Sequence, residues 1–326
     1  MSSPYGWGLI GPGRFAREFA DELRRAGRAK CVSVASRNIE KSSSFANEFG
    51  FTRAYGSYEE IVTDNEVDII YVVVPHVFHR KIAEMALNAG KAVLCEKPLT
   101  TSFADSKALI ELARERGLFL MEAMKTGFLP AIKQAKKWID SGEIGDPKIL
   151  KADFCFSGPS DPEDRLMNAS LGGGALLDVG VYPVFLAQHL FGDIESAQAE
   201  GTLTHTGVED SCVISTRHRS GGIGALSCSF RSNDEAMDAT ILGTEGSIEI
   251  PVFHKANRAI LKRNGTPVET YQADQSGMVY AEIESVMDAL DHNLIECPGH
   301  THSDTLNLAK TIDQIRSAIL QQGEIP

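Results

Sequence analysis

The chain lacks any C-x-x-C pair: its six cysteines stand apart at 31, 95, 155, 212, 228 and 297. That spacing argues against a disulfide framework and suits reduced thiols packed as small hydrophobes. Positive charge is also scarce. Lysine and arginine total 32 against 44 aspartates and glutamates, a net charge of -12. A surface of that sign does not fit a long anionic polymer, although a local cationic pocket for a small phosphorylated ligand remains open. Long hydrophobic runs are missing too, since Ile69–Val74 falls far short of the ~20 residues a membrane helix needs. The opening MSSPYGWGLIG has no basic n-region, so no signal peptide is predicted and the cytoplasm is the expected location. Histidine and cysteine form no ligand spacing, so no metal is predicted.

What is present is ordinary globular material, 43% hydrophobic and 23% charged, in a chain long enough for two domains. Up to about residue 125, apolar runs alternate with amphipathic stretches. Tyr5–Ile10, Cys31–Ala35, Ile69–Val74 and Val93–Cys95 read as strands. Phe15, Ala16, Phe19, Ala20 and Leu23 make one helical stripe, with Gly27 as a stop, and a second helix runs from about His79 to Ala89. Ser102 and Asp105 cap a third. This pattern predicts a doubly wound, parallel α/β domain of the Rossmann kind over 1–125. From 126 to 326 the pattern changes to short strands with tight turns. The turns are at Ser220-Gly221-Gly222, Ser232-Asn233-Asp234, Gly243–Gly246 and Asn264-Gly265. They predict an α+β domain with a large, mostly antiparallel sheet.

Two stretches carry chemistry. GLIGPGRFA places Gly11, Gly13 and Ala16 as G-x-G-x-x-A between strand and helix, with Arg14 and Phe15 opening the helix. A tight turn, a close backbone approach and the helix N-terminus together suit a pyrophosphate. At the end of the second strand stand Ser36, Arg37 and Lys41 with no carboxylate at the strand end, which favours NADP while leaving NAD possible. The second stretch is KAVLCEKPLT. An apolar strand ends in Glu96, Lys97 and Pro98, either because it has reached water or because Lys97 is held at a reaction centre.

These motifs, with EAM…FLPA, GEIGDPK, GGGALLDVGVYP and GTEGSIEI, resemble the glucose–fructose oxidoreductase / inositol dehydrogenase family over essentially the whole chain. GGGALLDVGVYP is similar to the branch of dihydrodiol and xylose dehydrogenases. The resemblance implies that Lys97 is the active-site lysine, followed by a proline commonly in a cis peptide. It implies that Glu96 lies by the nicotinamide ribose, and that Tyr182 and Asp178 lie near the substrate. Pro75, His76 and His79 fall at the cofactor, and Ser36, Arg37 and Lys41 at the adenosine phosphate. An open C-terminal sheet implies a homodimer or higher homo-oligomer. Two departures stand out. His76 follows Pro75 where many relatives have asparagine, and Lys125 and Gly127 replace a tryptophan and an arginine.

The residue types allow one mechanism. Hydride transfer to or from a sugar, polyol or diol carbon needs a proton removed from, or delivered to, its oxygen. A free tyrosine titrates near 10, and a neighbouring ammonium pulls that value down. With the roles the resemblance implies, Lys97 beside Tyr182 would make an acid/base pair, expected at the cleft between the domains, with Asp178 orienting the substrate or offsetting the lysine. Each residue alone has a plain structural reading: Tyr182 as core, Asp178 as a helix cap, Glu122 as a strand end, and His76, His79 and His189 as packing or cofactor contacts. The alternative function is a dinucleotide-sensing binding protein without turnover.

Overall fold

A computed structural model describes residues 4–273 and 277–322. They form two compact units. The first runs to Met124 and also takes in Gly277–Thr305. Its strands are β1 (Tyr5–Ile10), β2 (Ala29–Ala35), β3 (Arg53–Tyr55), β4 (Ile69–Val72), β5 (Ala92–Glu96) and β6 (Leu120–Ala123). All pair in parallel, in the order β3-β2-β1-β4-β5-β6. The strand order reverses between β1 and β4, and in sheets of this kind ligands bind outside the carboxyl ends at that reversal. β4 is buried at all four residues, which is why it reads as an unbroken apolar run.

Helices α1 (Arg14–Leu23), α2 (Ile39–Phe49), α3 (Tyr58–Val62), α4 (His79–Asn88) and α5 (Phe103–Arg116) connect the strands. Their ends follow local chemistry. Asn38 caps α2 through Glu40 N at 2.8 Å, and Ser102 caps α5 by accepting from Asp105 N at 3.2 Å. Gly27 is not the stop of α1; the helix closes at Arg24, ahead of it.

The returning segment carries α8 (Tyr280–Asp291). It is tied to α1 by Glu22, a buried carboxylate that accepts Val279 N at 2.7 Å. Burial raises the Glu22 pKa against the pull of that amide and its neighbours. Arg28 adds ion pairs to Glu284, Asp288 and Asp291 at 2.5–2.7 Å. These pairs are partly exposed, so each adds little.

The second unit holds α6 (Pro130–Asp140), β7 (Pro147–Ser157), α7 (Val181–Phe191) and β8 (Ile194–Leu203). Then come β9 (Glu209–His218), β10 (Ile223–Ser229), β11 (Arg231–Ala236), β12 (Ala239–Gly243) and β13 (Ser247–Ile250). β14 (Arg258–Arg263), β15 (Thr266–Gln272) and most of α9 (His302–Gln322) complete it. The sheet runs β15-β14-β13-β12-β7-β10-β9-β8, with β11 paired to β7. Only the β10–β7 pair among these is parallel.

Three of the predicted turns join strands as expected. The fourth does not: Ser232-Asn233-Asp234 lies inside β11. α7 packs on β7, β9 and β10, and α6 on β13, β14 and β15. β9 alternates accordingly, with Cys212, Ile214, Thr216 and His218 buried and Val213, Ser215 and Arg217 exposed.

Ala169–Phe191 is the one helical stretch among the described residues long and apolar enough to cross a membrane. Most of it is buried, which accounts for apolar residues all round it.

Candidate active site

In the first unit the predicted cofactor residues gather at the carboxyl ends of β1, β2, β4 and β5. Gly11 follows β1 with φ of 102°, and a Cβ there would collide with the Val73 carbonyl. Only glycine fits that turn. Gly13 is different. Its backbone is extended, and an added Cβ would meet nothing nearer than Gly11 O at 4.0 Å. The fold itself therefore does not require a bare residue at 13. Gly13 is also the N-cap of α1 and makes no side-chain capping bond, and the first turn holds no acidic residue. An uncapped helix end behind an open glycine is a fitting cradle for a dinucleotide pyrophosphate. Ala16, fully buried, keeps α1 close to the sheet.

Beyond β2, Ser36 Oγ accepts from Asn38 N at 3.2 Å. Arg37 and Lys41 are exposed, and the Arg37 guanidinium lies 5.8 Å from the Phe78 ring centroid. Pro75 leads into a 3-10 turn, His76–Phe78. His76 is buried, its ring edge-on to His79 at 5.6 Å.

Lys97 follows β5 and is only 9% exposed. It is therefore not a strand end left in water. The peptide joining it to Pro98 is cis. The peptide that follows Pro98 is held at its oxygen and at its nitrogen. His79 Nδ1 lies 2.8 Å from Pro98 O, and its Nε2 lies 2.8 Å from Val74 O. Leu99 N donates to Glu122 Oε1 at 2.8 Å, and Glu122 Oε2 meets His300 Nε2 at 3.0 Å.

The buried Glu122 thus ties Leu99 of this turn to His300. Burial lowers the His79 pKa; its two carbonyl bonds and Glu122 oppose the fall, and Lys97 adds to it. Glu96 accepts from Tyr71 Oη at 2.6 Å. Tyr71 in turn stacks on Phe19 of α1 at 3.8 Å.

In the second unit Asp178 and Tyr182 lie on one helical run. The backbone is helical at Ala175, widens into a π turn over Leu176–Gly180, and continues as α7. Pro183 has no N–H to donate and its ring crowds the carbonyl one turn back; the wider turn just before it relieves both. Gly180 and Pro183 therefore do not break the run, although both are helix breakers by sequence.

Asp178 is buried and accepts from Arg165 Nη1 at 3.0 Å. Tyr182, 7% exposed, has its ring 5.5 Å from Phe154 and 6.1 Å from His254. His254 itself stacks on Phe154 at 4.1 Å. Lys125 Nζ lies 5.7 Å from the Tyr182 ring centroid. Gly127, two residues on, packs so closely on Phe185 of α7 that an added Cβ would sit 2.9 Å from the ring. A side chain at 127 would have to displace that ring.

Sequence reasoning assigned no part at Asp178 or Tyr182 to Arg165, Lys125 or His254. Lys125 was signalled only as a departure from the pattern of relatives. Arg165 and His254 carry no local signal.

Residues 5–124 match the oxidoreductase family with the NAD-binding Rossmann fold, and residues 132–249 match the GFO/IDH/MocA C-terminal domain. Over 326 residues the chain is 32% identical to a trans-1,2-dihydrobenzene-1,2-diol dehydrogenase of Danio rerio, covering 96% of each chain. The chain belongs to the GFO/IDH/MocA oxidoreductase family. A Xenopus laevis protein of the same name is 34% identical, over 94% of this chain and 96% of its own.

Among solved structures, the 3-ketoreductase KijD10 of Actinomadura kijaniata, in complex with NADP and TDP-benzene, superimposes with a TM-score of 0.88. It is 27% identical, and the match covers 97% of this chain and 98% of that one. An aldose-aldose oxidoreductase of Caulobacter crescentus shares the fold at a TM-score of 0.89 and 24% identity, over 98% of each chain. The protein is thus an oxidoreductase, and its cofactor is a nicotinamide dinucleotide bound by the first unit.

Proposed function

We propose that the enzyme transfers hydride between NADP and a hydroxyl-bearing carbon of a sugar, polyol or diol. The observation that carries this reading is the buried Lys97 at a strand end, next to a proline whose following peptide is held by His79 and Glu122. The relatives' names support it, being a diol dehydrogenase and a 3-ketoreductase in complex with NADP and TDP-benzene. KijD10 has also been crystallised with a lysine and, separately, a tyrosine replaced.

When bound, the nicotinamide accepts or donates the hydride. The chain's own residues handle the oxygen. Lys97 holds a positive charge against the substrate oxygen and stabilises the negative charge that grows there as the proton leaves. Tyr182 takes that proton in oxidation and returns it in reduction. Asp178, bonded to Arg165, orients a second substrate hydroxyl. Gly11, Gly13, Arg14 and Phe15 hold the pyrophosphate end, Ser36, Arg37 and Lys41 the 2′-phosphate, and Pro75, His76, His79 and Glu96 line the nicotinamide half.

The test is a panel of sugars, polyols and diols incubated with NADP or NAD, read by absorbance of the reduced cofactor. Turnover with NADP on at least one member is expected. Tight NADP binding with no turnover in either direction would favour a cofactor-sensing protein instead. The parent should prefer NADP by about tenfold or more, the scale of one charge-assisted contact. Arg37→Asp should erase or reverse that preference. Equal affinities in the parent would mean that no 2′-phosphate pocket exists.

The same reading includes self-association through the C-terminal sheet. Val213, Ile223 and Ile149 are 66%, 42% and 38% exposed on neighbouring strands, and exposed apolar side chains on an open sheet suit an interface. Light scattering should give a multiple of 35.4 kDa. A single 35.4 kDa species at micromolar concentration would contradict it.

A further inference from the structure

Lys125 opens the 3-10 turn Lys125–Phe128 and is 6% exposed. Its Nζ lies 5.7 Å from the ring centroid of Tyr182, which is 7% exposed. We propose that Lys125 is a positioning residue that stabilises the phenolate form of Tyr182, so that the tyrosine exchanges its proton close to neutral pH. The proposal rests on the reading of Tyr182 as the proton-transfer group.

The physical reason is a difference between two states. Toward the neutral ring an ammonium has only a cation–quadrupole attraction. Toward the phenolate it has a full charge–charge attraction, which a site shielded from water attenuates far less than bulk solvent does. The ammonium therefore favours the deprotonated tyrosine. The bias acts for as long as Lys125 holds its proton.

Other groups of the unit also lie near Tyr182. Phe154 of β7 is apolar and favours the neutral phenol through burial. His254, on the 3-10 turn Phe253–Lys255, faces the ring at 6.1 Å. Asp178, on the tyrosine's own helical run, has an opposing negative charge bonded to Arg165. The Lys125 ammonium lies over the ring itself. The position of the turn is fixed, because Gly127 rests on Phe185 of α7, the helix that carries Tyr182.

The test reads the tyrosine directly and needs no substrate. The chain has seven tyrosines, so the phenolate absorbance of Tyr182 is isolated by subtracting the alkaline titration of Tyr182→Phe from that of the parent. The same subtraction is made in Lys125→Met and Lys125→Arg backgrounds. The Tyr182 transition should move up by about one pH unit or more in Lys125→Met, and stay near the parental value in Lys125→Arg, which keeps the charge. Circular dichroism at each pH confirms the fold. If Lys125→Met does not fold, Lys125→Gln takes its place against Lys125→Arg.

An unchanged transition in the uncharged variant overturns the proposal. So does a parental Tyr182 that stays protonated up to alkaline unfolding. Turnover of Tyr182→Phe is read separately. Full activity there overturns the role of Tyr182 in proton transfer, while the titration still decides whether Lys125 acts on it.

Discussion

Lys97→Met should lower turnover by about a hundredfold or more, the scale of one lost electrostatic or acid–base contributor. Methionine keeps the length and apolar stem of lysine and removes its charge. The fastenings of the turn act on main-chain atoms, at Pro98 O through His79 and at Leu99 N through Glu122. They stay in place in the variant, so the change isolates the ammonium. Dinucleotide affinity should hold within a few-fold, because the pyrophosphate cradle lies at Gly11 and Gly13, after a different strand. The measurements are kcat on a panel substrate and the dissociation constant of NADP. Parental turnover would reduce Lys97 to a buried strand end.

Gly13→Val should separate folding from cofactor binding. An added Cβ at Gly13 meets no protein atom closer than 4.0 Å, and the backbone there is extended. Thermal stability should therefore remain near the parental value. The new side chain projects where a pyrophosphate must approach the uncapped start of α1, so NADP affinity should fall by about tenfold to a hundredfold, one to two steps of 1.4 kcal/mol. Gly11→Ala is the contrasting case. Its positive φ and its collision with Val73 O should cost stability as well as affinity. Unfolding curves together with NADP titrations check both variants. Unchanged affinity in Gly13→Val would show that the pyrophosphate lies elsewhere.

How legible the molecule is in its sequence depends on how local the controlling physics is. β4 is buried on both faces, and a continuous Ile-Ile-Tyr-Val run says so directly. The cap of α5 and the turn at Asn264-Gly265 are decided within a few residues, so both read correctly. β11 does not read as a strand. It pairs only with β7, through an irregular register at its two ends, and its exposed Ser-Asn-Asp residues need no apolar partner.

The helical run through Asp178 and Tyr182 is hidden for a different reason. Gly180 and Pro183 argue locally against a helix, and a π turn absorbs both. Glu22 looks misplaced on the inner face of α1 until Val279, far along the chain, supplies the amide it accepts. Lys125, Arg165 and His254 come from separate segments and meet only through the packing of the second unit. No periodicity announces such a meeting.

The central claim is direct hydride exchange between the nicotinamide and a carbon that bears the substrate oxygen. It is tested most directly with NADPH deuterated at the transferring position of the nicotinamide and a carbonyl substrate found in the panel. Mass spectrometry of the product should show one deuterium on the former carbonyl carbon, retained in ordinary water. A product formed without the label, or a label found only in solvent, would contradict the account.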